Sequence, residues 1–200
     1  MSKFKFRSIF HFFGLLLLLN GGFMLVSILV SLLYNDGMTL ELFTSGIAVL
    51  IVGVILMLIT KKHSKVMNKR EGYIVVTFGW IVMAVSGAIP YMVTNVIPTF
   101  TSAFFETMSG YTTTGATILT DIEIVPKGVL FWRSTTHWIG GMGIIVLAIA
   151  ILPLLGIGGM QLFSAEAPGP SSDKLHPRIT DTAKRLWLIY FGYTIAETIL

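Results

Sequence analysis

Residues 112–117 read Thr-Thr-Thr-Gly-Ala-Thr, four threonines and one glycine in six positions. Backbone carbonyls and threonine hydroxyls can together replace the hydration shell of a dehydrated monovalent cation. Gly115 tolerates a positive φ, so successive carbonyls can be aimed at one axis. The stretch from Phe104 to Thr117 lies between two long apolar runs and is too polar to cross a bilayer itself. It reads as a re-entrant helix followed by a cation selectivity filter. The alternative is a threonine-rich outer loop that binds nothing.

A filter of this kind needs a short helix to deliver it. Pro98 stops the preceding extended segment, and Thr101 or Ser102 is expected to cap a new helix. A helix from about Ser102 to Tyr111 is roughly 15 Å long. That is half of a ~30 Å hydrocarbon core, enough to enter a membrane but not to cross it. Its C-terminal end carries partial negative charge, which favours a cation there. Non-helical backbone at that depth survives only when buried in protein or lining water.

The rest of the chain supplies the membrane. Of the 200 residues, 54% are hydrophobic and 12% charged, and the mean hydropathy is +0.81. Soluble domains carry about twice that charge. Cysteine is absent, which excludes disulfides and thiolate metal sites. Spans are expected over about 10–34, 42–60, 73–93 and 129–155, with a fifth apolar run from Leu186. That last run has only 15 residues, short of the ~20 a span needs, so the sequence is expected to continue. The predicted fold is an all-α integral membrane protein. Residues 1–70 form a two-helix hairpin, and 71–160 a helix–pore loop–helix unit whose re-entrant part covers about 101–117. Residues 161–185 form a cytosolic linker, and 186–200 begin a second unit.

Charge sets the orientation. With the N-terminus in the cytoplasm, twelve of the fourteen basic residues fall inside; Lys127 and Arg133 fall outside. The net charge of +4 is therefore a topological signal rather than a nucleic-acid one. This orientation puts the filter stretch at the outer face, with Asp36, Glu41, Glu106, Asp121 and Glu123. Those acids either raise the local cation concentration or simply solvate loops.

Several residues have two readings. Arg133 can order the filter surround or pair with Glu106, or be a helix-end arginine reaching the interface. Glu106, the lone acid of the re-entrant helix, is expected to support the loop rather than touch the ion, because a buried acid in a membrane is normally paired. His137 lacks an acidic or histidine partner one turn away and makes a poor metal ligand. Gly140, Gly141 and Gly143 lie in an apolar run with no preceding strand, so they indicate close helix packing and not a nucleotide loop. Gly156–Gly159 can be a joint or a helix stop. The segment from Glu166 to Arg185 can dock a partner or be a solvated loop.

The order FFETMSGYTTTGAT (104–117) resembles the first pore loop of the Trk/Ktr/HKT potassium transporter superfamily. FWRSTTHWIGGMGIIVLAIAILP (131–153), GIGGMQL (156–162), EAPGP (166–170) and PRI (177–179) extend the resemblance over nearly the whole chain. Within the superfamily the sequence is most similar to the membrane subunit of bacterial Trk potassium uptake systems. The resemblance implies four such units in one polypeptide around a pseudo-fourfold axis, preceded by two extra helices. It implies potassium coordination largely by carbonyls, with filter positions at Thr113, Thr114, Gly115 and Ala116, the ion at Thr113 and Thr114, and Thr112 and Thr117 flanking. It also implies a homodimer in the bacterial inner membrane and a cytosolic nucleotide-binding regulatory subunit of the TrkA-like type. Potassium is then the transported substrate, with no cofactor in this chain.

One unit cannot encircle an ion; a ring of about four is needed. Competing readings are a homotetrameric channel of short chains, a non-conducting assembly subunit, and an intramembrane hydrolase using Ser134 or His137. No zinc motif or paired intramembrane carboxylates support the last. No Walker A motif is present, so ATP hydrolysis by this chain is not expected.

Overall fold

The computed structural model describes residues 6–61, 69–143 and 179–199, and every regular element among them is helical. In chain order these are α1 (Phe6–Tyr34), α2 (Thr39–Ile59), α3 (Lys69–Gly87), α4 (Ile89–Val93), α5 (Phe100–Tyr111), α6 (Lys127–Met142) and α7 (Ile179–Ile199). Three stretches are long and apolar enough to cross a bilayer: Phe6–Tyr34, Thr39–Ile59 and Arg70–Val93. They match the first three expected spans. Residues 144–155 of the expected fourth span, the glycines at 156–159 and the linker through residue 178 lie outside the described residues.

α1 and α2 form an antiparallel hairpin held at two glycine crossings. A Cβ on Gly14 would meet the Gly53 carbonyl at 3.0 Å, and one on Gly53 would meet the Gly14 carbonyl at 3.0 Å. One turn-pair further on, a Cβ on Gly21 would lie 3.0 Å from the Gly46 carbonyl. In a bilayer, where lipid is as apolar as leucine, backbone approach of this kind supplies the association energy. His11 Nδ1 lies 3.0 Å from Thr60 Oγ1 and ties the far ends together. The outward faces remain apolar and exposed, for example Leu29, Leu33, Ile51 and Leu58, as lipid contact requires.

The third span is interrupted at Ala88, between α3 and α4. Pro90, in the first turn of α4, has no N–H with which to continue the ladder. Trp132 of α6 uses the break: its Nε1 donates to the Gly87 carbonyl at 3.0 Å. Two apolar clusters then knit the unit. One joins Phe12, Phe13 and Leu16 of α1 to Val75, Met83 and Ala84 of α3, with Tyr111 and Ile139. The other gathers Met24, Leu42, Val49, Tyr91, Ala103, Val129 and Trp132. α1 contributes to both, so the hairpin is a wall of the pore unit rather than an appendage.

Two boundaries differ from expectation. α6 stops at Met142, and Gly143 closes it with φ +68°. Continuous apolar composition past this point hid the stop, because hydropathy reports surroundings and not backbone. α7 is already helical at Ile179, the first described residue after 143, ahead of Leu186 where the apolar run begins.

Candidate functional site

The short helix α5 has 12 residues, about 18 Å. It begins at Phe100 with Thr99 as its N-terminal flank, and no side chain caps it. The expected caps, Thr101 and Ser102, lie inside its first turn, because Pro98 ends the preceding turn one step earlier than the threonine pattern suggested. The helix is wedged in place by contacts at small residues. A Cβ on Gly110 would lie 2.2 Å from Thr136 Oγ1 of α6. A Cβ on Gly87 of α3 would lie 2.5 Å from the Thr107 methyl. On α6, a Cβ on Gly140 would lie 2.3 Å from the Tyr111 carbonyl oxygen. Gly140 is thus a close-packing glycine, and so is Gly141, whose Cβ would meet Tyr190 Oη at 2.5 Å.

The strand that follows is the opposite. Residues 112–118 are all exposed, directly after the buried Ser109, Gly110 and Tyr111. Its inner end is tied by backbone bonds: Thr112 N to Met108 O at 2.9 Å, Thr113 N to Gly110 O at 2.9 Å and Thr114 N to Ser109 O at 3.0 Å. Thr113 has φ +54° and Gly115 φ +76°. The glycine was foreseen; a β-branched residue in the left-handed region was not, and it is costly enough to indicate function. In an ordinary extended strand, successive peptide units alternate in direction. Left-handed residues at alternate positions cancel that reversal, so neighbouring carbonyls can share a side. The carbonyls of Thr113, Thr114 and Gly115 accept no hydrogen bond from the described residues. Ala116 is different: its carbonyl accepts from Ser109 Oγ at 2.6 Å. The threonine hydroxyls at the inner end are partly engaged, with Thr112 Oγ1 2.8 Å from both Met108 O and Thr114 Oγ1.

The strand's far end, at Thr117 and Ile118, hangs from Glu106. This carboxylate is 0% exposed. Its Oε1 accepts from Arg133 Nε at 2.7 Å, the Arg133 side chain being 15% exposed. Thr117 Oγ1 donates across both carboxylate oxygens, at 2.9 and 3.0 Å, and Ile118 N donates to Oε2 at 3.0 Å. Burying an ion costs several kcal/mol unless a partner charge and hydrogen bonds offset it. Here all are present, and through them Glu106 joins α5, α6 and the strand. Of the two readings of Arg133, the structure displays the pairing.

Two of the remaining acids, Asp36 and Asp121, also hold loops. Asp36 Oδ1 accepts from Ser31 Oγ at 2.5 Å and Met38 N at 3.0 Å, and Oδ2 accepts from Gly128 N at 2.6 Å. It thereby caps the first turn of α6, where a carboxylate also suits the helix dipole. Partial burial works against its ionisation, but the hydrogen bonds from Ser31, Gly128 and Met38 outweigh it and hold its pKa below the ordinary value. Asp121 Oδ1 accepts from Glu123 N at 3.0 Å and turns the loop between α5 and α6. His137 Nδ1 lies 3.0 Å from the Arg133 carbonyl. Sequence reading gave no role to Ser109 or to Asp36 as a staple. A serine three residues before the threonine run is the signal for the first; the second had none.

The sequence profile of the TrkH family, described as a cation transport protein, matches residues 39–200. The chain belongs to this family. It is 46% identical over 194 residues to the Trk system potassium uptake protein TrkH of Vibrio parahaemolyticus, a match covering 96% of this chain and 40% of that protein. With the protein of the same name from Escherichia coli K12 it shares 46% identity over 193 residues, again 96% of this chain and 40% of the other. An uncharacterized cation transporter of Methanocaldococcus jannaschii is 32% identical over 200 residues, covering 41% of its length. The crystal structure of the potassium transporter TrkH from Vibrio parahaemolyticus matches with a TM-score of 0.76 at 41% identity, over 96% of this chain and 38% of that one. The chain thus spans about two fifths of the length of the TrkH relatives it matches. The all-α membrane architecture and the helix–pore loop–helix unit agree with the TrkH structure.

Proposed function

We propose that this chain supplies one filter strand, with its supporting scaffold, to a TrkH-type membrane subunit that takes potassium up across the bacterial plasma membrane. The carrying observation is the strand itself: carbonyls 113–115 without hydrogen-bond partners among the described residues, left-handed backbone at alternate positions, one end tied to the backbone of α5 and the other to the buried carboxylate of Glu106. Thr113, Thr114 and Gly115 coordinate the ion through carbonyls. Ala116 lies at the outer limit of the filter, and Thr112 and Thr117 anchor it. Glu106 and Arg133 support the strand and do not touch the ion. A complete ring takes three further strands, which the greater length of the TrkH relatives can accommodate. The division at about residues 70, 160 and 185 belongs to the same reading. So do the cytoplasmic N-terminus, a homodimer and a TrkA-like regulatory subunit. The chain is a conduit rather than an enzyme, driven by the membrane potential at about 2.3 kcal/mol per charge per 100 mV.

The test is rubidium uptake and potassium-limited growth in a host stripped of its own potassium uptake, carrying the matching regulatory subunit. The complete reading frame is expressed as wild type or Gly115→Ser. Rescue by the wild type, with loss of preference over sodium in the variant, is expected. Identical behaviour of the two removes Gly115 from the permeation path.

A further inference from the structure

We propose that Asn20, in the helix hairpin that precedes the pore unit, is a positioning residue that sets the ion preference of the filter through Tyr111. The inference rests on the filter reading of residues 113–116. Asn20 is 0% exposed in the middle of α1, and Tyr111 is 1% exposed at the end of α5. Tyr111 Oη donates to Asn20 Oδ1 at 2.6 Å, a contact between residues 91 positions apart. Asn20 Nδ2 donates to Ser86 Oγ at 2.7 Å and towards Met83 O at 3.4 Å. Ser86 Oγ is itself committed as a donor to Val82 O at 2.8 Å, so it can only accept from Asn20. That fixes the amide orientation: nitrogen to α3, oxygen to Tyr111.

Every hydrogen-bonding position of this buried amide except one lone pair is therefore used, and its single strong acceptor contact is aimed at the residue immediately before Thr112. Tyr111 is held from three sides. Its carbonyl lies against Gly140 of α6, and its ring against Gly87 and Trp80 of α3. Its hydroxyl meets Asn20 of α1. The first two contacts are apolar or steric and permit sliding; only the third is directional. A shift of Tyr111 moves Thr112 with it, and so the spacing of the carbonyls beyond. An amide at this depth is expensive, and a leucine would pack α1 against α3 without that cost. Its hydrogen bond to the filter's base is what the leucine cannot supply.

The experiment measures rubidium uptake, and the sodium concentration that halves it, in cells carrying the complete reading frame and its regulatory subunit. Membrane abundance is quantified for each variant. Tyr111→Phe removes one oxygen and keeps the ring. This variant and Asn20→Ala should each lower the sodium concentration needed by roughly two- to tenfold, the size expected of one buried hydrogen bond. The double variant should be no worse than the more severe single one, because both break the same contact. Ser27→Ala, at another buried α1 position whose hydroxyl has no hydrogen-bond partner among the described residues, should leave the ratio unchanged. Should Asn20→Ala fail to accumulate, Tyr111→Phe decides alone. An unchanged ratio in Tyr111→Phe, while Gly115→Ser changes it, overturns the proposal, as does an equal shift in Ser27→Ala. An unchanged ratio in Gly115→Ser instead overturns the filter reading beneath it.

Discussion

The short helix and the strand it delivers are adjacent in sequence and opposite in environment. Over Glu106–Tyr111 nearly every residue is buried, and glycines let α3 and α6 close on the helix, α6 to backbone distance at Gly140. Over residues 112–118 everything is exposed, and a Cβ on Gly115 would meet nothing within 4 Å. The helix is fixed by packing within this chain; the strand is fixed only at its ends. Precision in the strand is thus borrowed from the helix, and damage to the two should separate into lost stability and lost selectivity.

The largest stability effect belongs on the helix side. Glu106→Ala leaves Arg133, Thr117 Oγ1 and Ile118 N without their acceptor, and should cost about 3–5 kcal/mol, read as a lower midpoint of detergent-solubilised unfolding. Arg133→Leu should cost less, because the carboxylate keeps Thr117 and Ile118; a double-mutant cycle sharpens the split. A cost below ~1 kcal/mol for Glu106→Ala would show that the strand does not hang from it.

Next comes Gly140→Ala. Its Cβ would meet backbone, the Tyr111 carbonyl at 2.3 Å, which cannot swing away as a side chain can. About 1–3 kcal/mol is expected from such overpacking. Gly22→Ala in α1, with nothing within 4 Å, should be neutral or slightly stabilising. Equal costs at the two positions would break the distinction between packed and open glycines.

Gly115→Ala should invert the pattern. Space is open, so only the left-handed backbone resists, at about 1–2 kcal/mol. Its effect on ion preference should exceed that of Gly140→Ala. The smallest effect is Asp36→Asn, under ~1 kcal/mol at this partly exposed loop. Because the folded pKa is depressed, the contribution is present above the ordinary value of 3.8 and is lost as pH falls through the lowered one. The penalty of the asparagine should therefore vanish in acid. A penalty that persists there would point to shape rather than charge.

Much of this was legible in the sequence because it is local. The Thr112–Thr117 run, the half-length helix and the first three spans are all set by composition over neighbouring residues. The pairing of Arg133 with Glu106 was one of two open readings, since spacing alone cannot choose between a partner and the interface. What stayed hidden joins distant segments. Asn20 lies inside the first apolar run, and its partner Tyr111 is 91 residues away. Asp36 read only as one of several loop acids, and its partner Gly128 is 92 away. The left-handed φ of Thr113 contradicts its own β-branched preference, so no local rule could have announced it.

The filter assignment is tested most directly by locating the ion. Crystals of the complete protein grown in rubidium salt should give an anomalous peak within coordination distance of the Thr113, Thr114 and Gly115 carbonyls, and none beside Glu106. Rubidium bound at Glu106 or in the outer loop, with the strand carbonyls bare, would contradict it.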